Sequence, residues 1–176
     1  MRSMEIKTQI ESGGKTYKVI YRDEDPSTNL NDSTLHGVHA YCFYKDKLVV
    51  VLNSKNLWTP PGGAIEKGET YEEAIIREVR EEANMKVLYQ HYIGYQDVWF
   101  EKEKMMSRQA RVFCIVEPFG NFENDPDGDI SEIKLLDPKD YKEYIAWGEI
   151  GDHLMTRALE MKKSYDAETF KLIQDL

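Results

Sequence analysis

Three glutamates on one predicted helix have the clearest capacity for chemistry. Glu78, Glu81 and Glu82 have i, i+3 and i+4 spacing, which places their carboxylates within an arc of roughly 100°. Carboxylates this close repel one another unless a cation compensates for their charge. Hard divalent cations such as Mg²⁺ or Mn²⁺ prefer clustered carboxylate oxygens, so the spacing indicates a metal site. The spacing alone leaves open an ordinary acidic, solvated helix surface paired with nearby arginines.

The segment before this helix permits close approach of the backbone. It reads Pro60-Pro61-Gly62-Gly63, and glycine has no Cβ to keep other groups away. Glu69 places a further carboxylate just outside the helix. A glycine-bearing loop beside a carboxylate cluster can hold a metal ion and a phosphate together. The loop therefore favours a metal site over a purely solvated surface.

The helix itself has a clear beginning, core face and end. Thr70 and Glu73 form an S/T-x-x-E capping box, which makes Thr70 the predicted N-cap. The apolar stripe expected to face the core consists of Tyr71, Ile75 and Val79. Asn84 follows the last turn and is one of the few non-glycine residues that tolerate the left-handed conformation found there. The glutamates therefore lie on a well-defined helix, at the edge of its buried stripe.

Predicted strands precede and follow this helix. β-rich runs lie at residues 4–21 (two strands around a Ser-Gly-Gly turn), 38–44, 48–52, 87–100, 110–116 and 130–136. Polar connections are expected at residues 22–36, 53–69, 102–108 and 117–129. Residues 138–176 follow helical patterns with expected breaks near 148–151 and 164–166. This order predicts an α/β protein with a mixed sheet and helices packed against it.

Composition limits the partners that the chain can have. The apolar fraction of 41% suffices for the core of one domain, and the net charge is 23 − 32 = −9. A negative chain is a poor ligand for nucleic acids and anionic membranes, so we expect neither as a partner. With no signal-peptide pattern or apolar run of spanning length, a cytoplasmic location is expected. Cys42 and Cys114 are expected to be reduced core residues, although the sequence leaves a disulfide open.

Residues 63–85 resemble the Nudix box, Gly-x5-Glu-x7-Arg-Glu-U-x-Glu-Glu-x-Gly-U, in which U is a bulky apolar residue. The matching residues are Gly63, Glu69, Arg77, Glu78, Val79, Glu81, Glu82 and Met85. Asn84 stands where the family usually has glycine, and we expect local strain there rather than loss of the site. The lead-in from Leu57 to Gly63 also resembles that of the family. The order of elements extends the likeness over about residues 37–147, which we interpret as the Nudix core.

The resemblance implies an α/β/α sandwich hydrolase that cleaves a diphosphate linked to another group, commonly a nucleoside. It assigns Mg²⁺ or Mn²⁺ to Glu78, Glu81 and Glu82. The general base would be one of these residues or a carboxylate of a later loop. We expect residues 1–36 to belong to the same domain as the core, and residues 148–176 to form C-terminal helices.

Four residues would organise the loop beside the metal. The resemblance implies an ion pair between Arg77 and Glu69 that fixes the loop against the helix. Gly62 and Gly63 would permit the close packing of this loop next to the cofactor.

Further candidates lie outside the box. A later loop often supplies another acidic ligand, and the candidates are Asp127 and Asp129, with Glu123 and Glu132 less favoured. Each of these also fits a hydrophilic turn. Aromatic residues that could stack on a base, although core packing is the more common role, are Trp58, Trp99 and Phe100. His36 and His39 have H-x-x-H spacing but no second ligand pair, so metal binding is not expected there.

The substrate is predicted by analogy only. The Trp-x-x-Pro loop resembles that of family members that hydrolyse nucleoside triphosphates, so we expect a (deoxy)nucleoside triphosphate to give the monophosphate and pyrophosphate. Related proteins are often dimers, which makes a homodimer an open expectation. One alternative is a catalytically silent, nucleotide-binding regulatory module, supported only by Asn84. The other is an acidic helical interaction protein.

Overall fold

The computed structural model describes residues 3–30, 35–100, 105–121 and 127–176. Its strands are β1 (Glu5–Ser12), β2 (Lys15–Arg22), β3 (Leu35–Tyr44), β4 (Lys47–Asn53), β5 (Trp58–Thr59), β6 (Gly62–Ala64), β7 (Met85–Phe100), β8 (Met105–Pro118) and β9 (Ile130–Leu136). Helix α1 spans Tyr71–Ala83, a 3₁₀ helix spans Pro138–Glu143, and α2 spans Gly148–Gln174.

One mixed sheet contains all of these strands. Their order is β1-β2-β7-β8-β3-β4-β5, while β6 pairs with β3 and β9 pairs with β4. Strands β3 and β8 run parallel, and the other pairs are antiparallel. The N-terminal hairpin belongs to the same sheet, because β2 pairs with β7. The predicted α/β class and mixed sheet are therefore confirmed.

The two faces of the sheet carry separate halves of the core. Side chains alternate across a strand, so one face of β3 presents Val38, Ala40 and Cys42 to α1. The opposite face presents Tyr41 and Phe43 to α2 and the 3₁₀ helix. Helices on both faces give the expected α/β/α sandwich.

Helix α1 has the predicted ends. The Thr70 hydroxyl accepts a hydrogen bond from the Glu73 N–H, and the Glu73 carboxylate accepts one from the Thr70 N–H. Asn84 adopts the left-handed conformation at φ 51° and ψ 43°, and its side chain donates to the Asn121 carbonyl at 2.9 Å. The chain therefore turns sharply out of α1 into β7.

Two expectations about the secondary structure were wrong. Residues 148–176 were expected as several helices, but α2 is continuous from Gly148 to Gln174. Lys162 and Asp166 form an i, i+4 ion pair at 2.5 Å across the expected break. Residues 105–108, expected in a connection, begin β8 because they pair with the end of β7. Backbone pairing and helix continuity outweigh the local polar composition at both places.

Cys42 and Cys114 are buried, free thiols on neighbouring parallel strands, where they are register partners. The prediction of reduced core cysteines is therefore confirmed. Among the helices within the described ranges, none is both long and apolar enough to cross a membrane.

Candidate active site

One guanidinium organises the predicted site. Arg77 donates from Nε and Nη2 to the two oxygens of Glu69 at 2.7 and 2.9 Å. Its Nη1 donates to Glu78 at 2.8 Å and to Glu81 at 3.3 Å, and Nη2 also donates to the Ala64 carbonyl at 2.9 Å. All five guanidinium N–H groups therefore have acceptors. The contact between Arg77 and Glu69 joins the loop before α1 to the helix.

The charges in this network perturb one another. The hydrogen bond from Arg77 lowers the pKa of Glu69 below its ordinary value. Burial raises the pKa of Glu78, although Arg77 acts in the opposite direction. The hydrogen bond to Glu69 is the main cause that raises the pKa of Arg77 itself. Glu69 is thus a fixed anionic anchor, whereas Glu78 is a desolvated carboxylate.

Gly62 and Gly63 bring the loop backbone against α1. They lie on β6, opposite His39 and Val38 of β3. The Gly62 N–H donates to the Glu82 carboxylate at 2.8 Å. A Cβ placed on Gly63 would lie 2.7 Å from the carboxyl carbon of Glu78, which is closer than non-bonded atoms approach. Only glycine at position 63 leaves room for the Glu78 carboxylate.

Gly63→Ala is expected to lower activity about tenfold and stability by about 1–3 kcal/mol, the usual cost of overpacking. The new methyl group would push the Glu78 carboxylate out of its position. Gly120→Ala is the matched control, because a Cβ at that glycine meets no atom within 4 Å. Thermal melts and initial rates of the two variants check the effect. Equal behaviour of both variants would show that the fit of Gly63 against Glu78 is unimportant.

A small cavity opens beside the end of α1. Its volume is about 230 Å³, and its lining residues are His39, Asn53, Ser54, Lys55, Thr59, Gly62, Glu82, Asp129 and Ile130. The structure therefore brings Asp129, predicted as a later-loop carboxylate, to the same cavity as Glu82. Neither Asp127 nor Glu132 lines this cavity, and Glu123 lies outside the described residues.

The donor set of this region fits a hard divalent cation. Glu78, Glu81 and Glu82 offer only carboxylate oxygens, and the missing Cβ of Gly63 lets the Glu78 carboxylate lie against the loop backbone. In the part of the chain that the structure describes, no three acidic, His or Cys side chains stand close enough to hold a metal ion as they are. Glu78 and Glu81 are instead directed at Arg77, and Glu82 at Gly62. The assignment of these glutamates to a metal stays a prediction.

A larger cavity of about 510 Å³ lies on the α2 side of the sheet. Arg111, Trp147 and Gln109 line it, and His39 lines both cavities. Burial and the nearby Arg111 hold the pKa of His39 well below its usual range, so its imidazole is neutral. Arg111 and Trp147 belong to no motif that would single them out in the sequence. The available signal was the alternation of β8, which places Arg111 on the same face as the core residue Phe113.

The aromatic candidates lie outside both cavities. Trp58 packs edge-on against Tyr144 at 5.8 Å, beneath Lys134. Phe100 packs against Tyr17 at 5.0 Å, and Trp99 is 38% exposed. The core role considered for Trp58 and Phe100 therefore agrees with their packing.

A family model described as the NUDIX domain matches residues 34–157. The chain belongs to the Nudix hydrolase family. Members of this family act on nucleoside diphosphate derivatives, and the match includes α1, its preceding loop and the first part of α2. The recognition made from residues 63–85 is therefore confirmed.

Solved structures with low sequence identity share the Nudix fold. A mutant of the Bacillus subtilis pyrophosphohydrolase BsRppH is 17% identical with a TM-score of 0.68, covering 88% of this chain and 97% of that chain. The NUDIX domain of Shewanella oneidensis NrtR, complexed with ADP ribose, is 18% identical with a TM-score of 0.58, covering 77% and 92%. A UDP-X diphosphatase is 18% identical with a TM-score of 0.56, covering 77% and 68%.

Proposed function

We propose that this Nudix hydrolase cleaves a (deoxy)nucleoside triphosphate to the monophosphate and pyrophosphate, with Mg²⁺ or Mn²⁺ as cofactor. The observation that carries the proposal is the carboxylate network at the Gly62–Gly63 bend. There Arg77 donates hydrogen bonds to Glu69, Glu78 and Glu81, and both Glu82 and Asp129 line one small cavity. A polar site of this kind suits a diphosphate that arrives together with a cation.

In this proposal Glu78, Glu81 and Glu82 hold the metal. When bound, the metal neutralises charge on the diphosphate and lowers the pKa of an attacking water. Arg77 keeps Glu69 and the loop in place, so that the Gly62 backbone stays beside Glu82. Lys55 lines the same cavity and supplies a positive charge for a phosphate oxygen. The general base is Glu82, another box glutamate or Asp129.

The structural neighbours support a diphosphate substrate but differ in the group attached to it. One is a pyrophosphohydrolase, one binds ADP ribose and one is a UDP-X diphosphatase. The preference for a triphosphate rests on the Trp58-to-Pro61 lead-in of this sequence. A silent regulatory module is the alternative, and its only support was Asn84. Because Asn84 adopts the left-handed backbone conformation that glycine would supply there, this substitution gives no structural reason for inactivity.

The test is a panel of nucleotides incubated with the protein and Mg²⁺, followed by identification of the products. The panel contains the (deoxy)nucleoside triphosphates, ADP ribose, a UDP-sugar, NADH and NADPH. We expect turnover that EDTA abolishes, with monophosphate and pyrophosphate as products from a triphosphate. Turnover of ADP ribose or the UDP-sugar alone would contradict the proposal of a triphosphate substrate but would support the proposed class of reaction. Saturable binding with no turnover at any metal concentration would favour the silent module.

The remaining expectations about partners stay predictions. They are a nucleotide-type ligand rather than a nucleic acid or membrane, a possible homodimer and a cytoplasmic location. Size-exclusion chromatography with light scattering would determine the oligomeric state.

A further inference from the structure

Arg111 is a buried cation without a buried anion beside it. Its side chain is among the largest that are fully buried, and the residue is 2% exposed. Nη1 donates to the Ala110 carbonyl at 3.1 Å and Nη2 to the Gln109 side chain at 2.9 Å. Nε–H has no partner, and no carboxylate within the described ranges forms an ion pair with this guanidinium. Its positive charge therefore has only neutral partners, which are these two oxygens and the Trp147 ring, whose centre lies 5.3 Å from the guanidinium carbon.

Arg108, three residues earlier on β8, shows what a structural arginine looks like in this protein. It is 4% exposed, and it donates to both oxygens of Asp97 at 2.8 and 3.1 Å. Its guanidinium also lies 3.8 Å from the centre of the Tyr95 ring. The two arginines are equally buried, but only Arg108 has an anionic partner.

An unpaired buried charge is unfavourable for folding. Moving an ion out of water costs several kcal/mol unless an opposite charge and hydrogen bonds compensate. Burial accordingly lowers the pKa of Arg111 to about 10, and only Tyr41 and Tyr21 oppose the shift. Replacing a buried charge with an apolar side chain of similar length is often neutral or stabilising, so packing alone does not require an arginine here. A role in ligand binding would account for the arginine.

The place of Arg111 favours such a role. It lines the 510 Å³ cavity, whose size lies within the range of small-molecule sites. The walls include Trp147 and the amide side chains of Gln9, Gln96 and Gln109. His39 lines both this cavity and the one that contains Glu82, and its Nδ1 is also buried without a partner. We therefore take a substrate with its diphosphate near Glu82 to extend past His39 towards Arg111.

We propose that Arg111 is a specificity-determining residue, which binds a hydrogen-bond acceptor on the part of the substrate remote from the scissile diphosphate. Two chemical sources provide such an acceptor. One is the O6 and N7 edge of a guanine-type base, which arginine binds with two hydrogen bonds. The other is an additional phosphate on the ribose, which arginine binds as an ion pair. This inference rests on the proposed function, because it takes the Glu82 cavity as the diphosphate site.

The test compares two pairs of substrates, in each of which one member has this acceptor and the other lacks it. GTP and ATP differ on the purine ring, and NADPH and NADH differ by one ribose phosphate. We expect the wild-type enzyme to prefer the acceptor-bearing member of one pair by about 5-fold to 150-fold in kcat/KM, the range of a good bidentate contact. Arg111→Met should remove this preference. The pair that responds identifies the source, whereas equal preference in the two proteins, or none in wild type, overturns the proposal.

A ligand-binding role and a structural role for Arg111 make opposite predictions for the melting temperature of the unliganded protein, and the binding role makes the first of those that follow. Without ligand, Arg111→Met should melt at the same temperature as wild type or higher, because an uncompensated charge has been removed. The matched change Arg108→Met should lower the melting temperature strongly, since it removes both hydrogen bonds of the buried Asp97 carboxylate and leaves only Arg22, 3.8 Å away, as its cation among the residues described. A similar loss of stability in Arg111→Met, including failure to fold, would show that Arg111 supports the fold and would overturn the proposal.

Binding without turnover separates this inference from the proposed function. In EDTA, the melting temperature of wild type should rise more with the preferred nucleotide of the pair than with its counterpart. Arg111→Met should show equal shifts with both. If no member of the panel is hydrolysed but this difference is found, the proposed reaction fails and the binding role of Arg111 stands. If hydrolysis is found without the difference, the reaction stands and the role of Arg111 fails.

Discussion

Glu82→Gln is expected to lower the Mg²⁺-dependent rate by about 10²–10⁴-fold, the range that a positioned acid or base contributes. The same range is reasonable for a lost metal ligand, because metal catalysis contributes several kcal/mol to charge stabilisation. Glu82 combines two properties that favour such a role. Its carboxylate accepts a hydrogen bond from the Gly62 N–H, and it lines the same cavity as Asp129 and Lys55.

The substitution should leave the fold intact. The Gly62 N–H donates to a Glu82 oxygen at 2.8 Å, and the amide of glutamine also has a carbonyl oxygen that can accept this hydrogen bond. Only the charge and the second carboxylate oxygen are removed. Circular dichroism and a melting temperature close to that of wild type would confirm that the lost rate is chemical in origin.

Glu73→Gln is the matched control for this experiment. Glu73 lies on the same helix and also accepts a backbone N–H, from Thr70 at 2.9 Å. It lines neither cavity, and glutamine also serves in a capping box. We expect the control to keep the wild-type rate. A wild-type rate in Glu82→Gln, or an equal loss in both variants, would contradict the assignment of Glu82 to the site.

The part of the site that could be predicted from the sequence consists of residues close together in the chain. Helical spacing determines which of Arg77, Glu78, Glu81 and Glu82 share a face, and the capping box determines where the helix begins. These relations depend on backbone geometry that any helix has. For the same reason the left-handed conformation of Asn84 could be predicted from its position after the last turn.

Relations between distant strands could not be predicted in this way. Arg111 and His39 meet only because β3 and β8 pair in parallel, with His39 opposite Arg111 in the register. Trp147 reaches them from the start of α2, where its ring lies 5.1 Å from that of His39. Neither the pairing nor the position of α2 has a local signature. The large cavity could therefore be found only in the folded structure.

Continuity of α2 was missed for a related reason. Ser164 to Asp166 are not strong helix formers, and local propensity favoured a break there. In the fold, Tyr165 packs against Tyr89 of β7 at 5.1 Å between ring centres. Tertiary contact of this kind stabilises a helix more than its intrinsic propensity does.

Arg77→Met is expected to destabilise the protein by about 3 kcal/mol, the lower end of the range for breaking a buried ion pair, because it removes the cation from a partly buried set of carboxylates. For a chain of this size the melting temperature should fall by about 6–12 °C. Glu69, Glu78 and Glu81 would lose their shared donor and repel one another. The loop before α1 would also lose its anchor, so activity should fall together with stability.

Arg77→Lys should recover little of this loss. Arg77 uses all five N–H groups on four residues, whereas an ammonium has three donors and lacks the planar fork that binds both oxygens of Glu69. Arg80→Met is the control on the same helix, since Arg80 is exposed and lies over the Phe119 ring at 4.9 Å. Its loss should cost no more than about 1 kcal/mol. A melting temperature of Arg77→Met or Arg77→Lys as high as that of Arg80→Met would show that the network contributes little to stability, and that its arginine serves some purpose other than holding the bend against the helix.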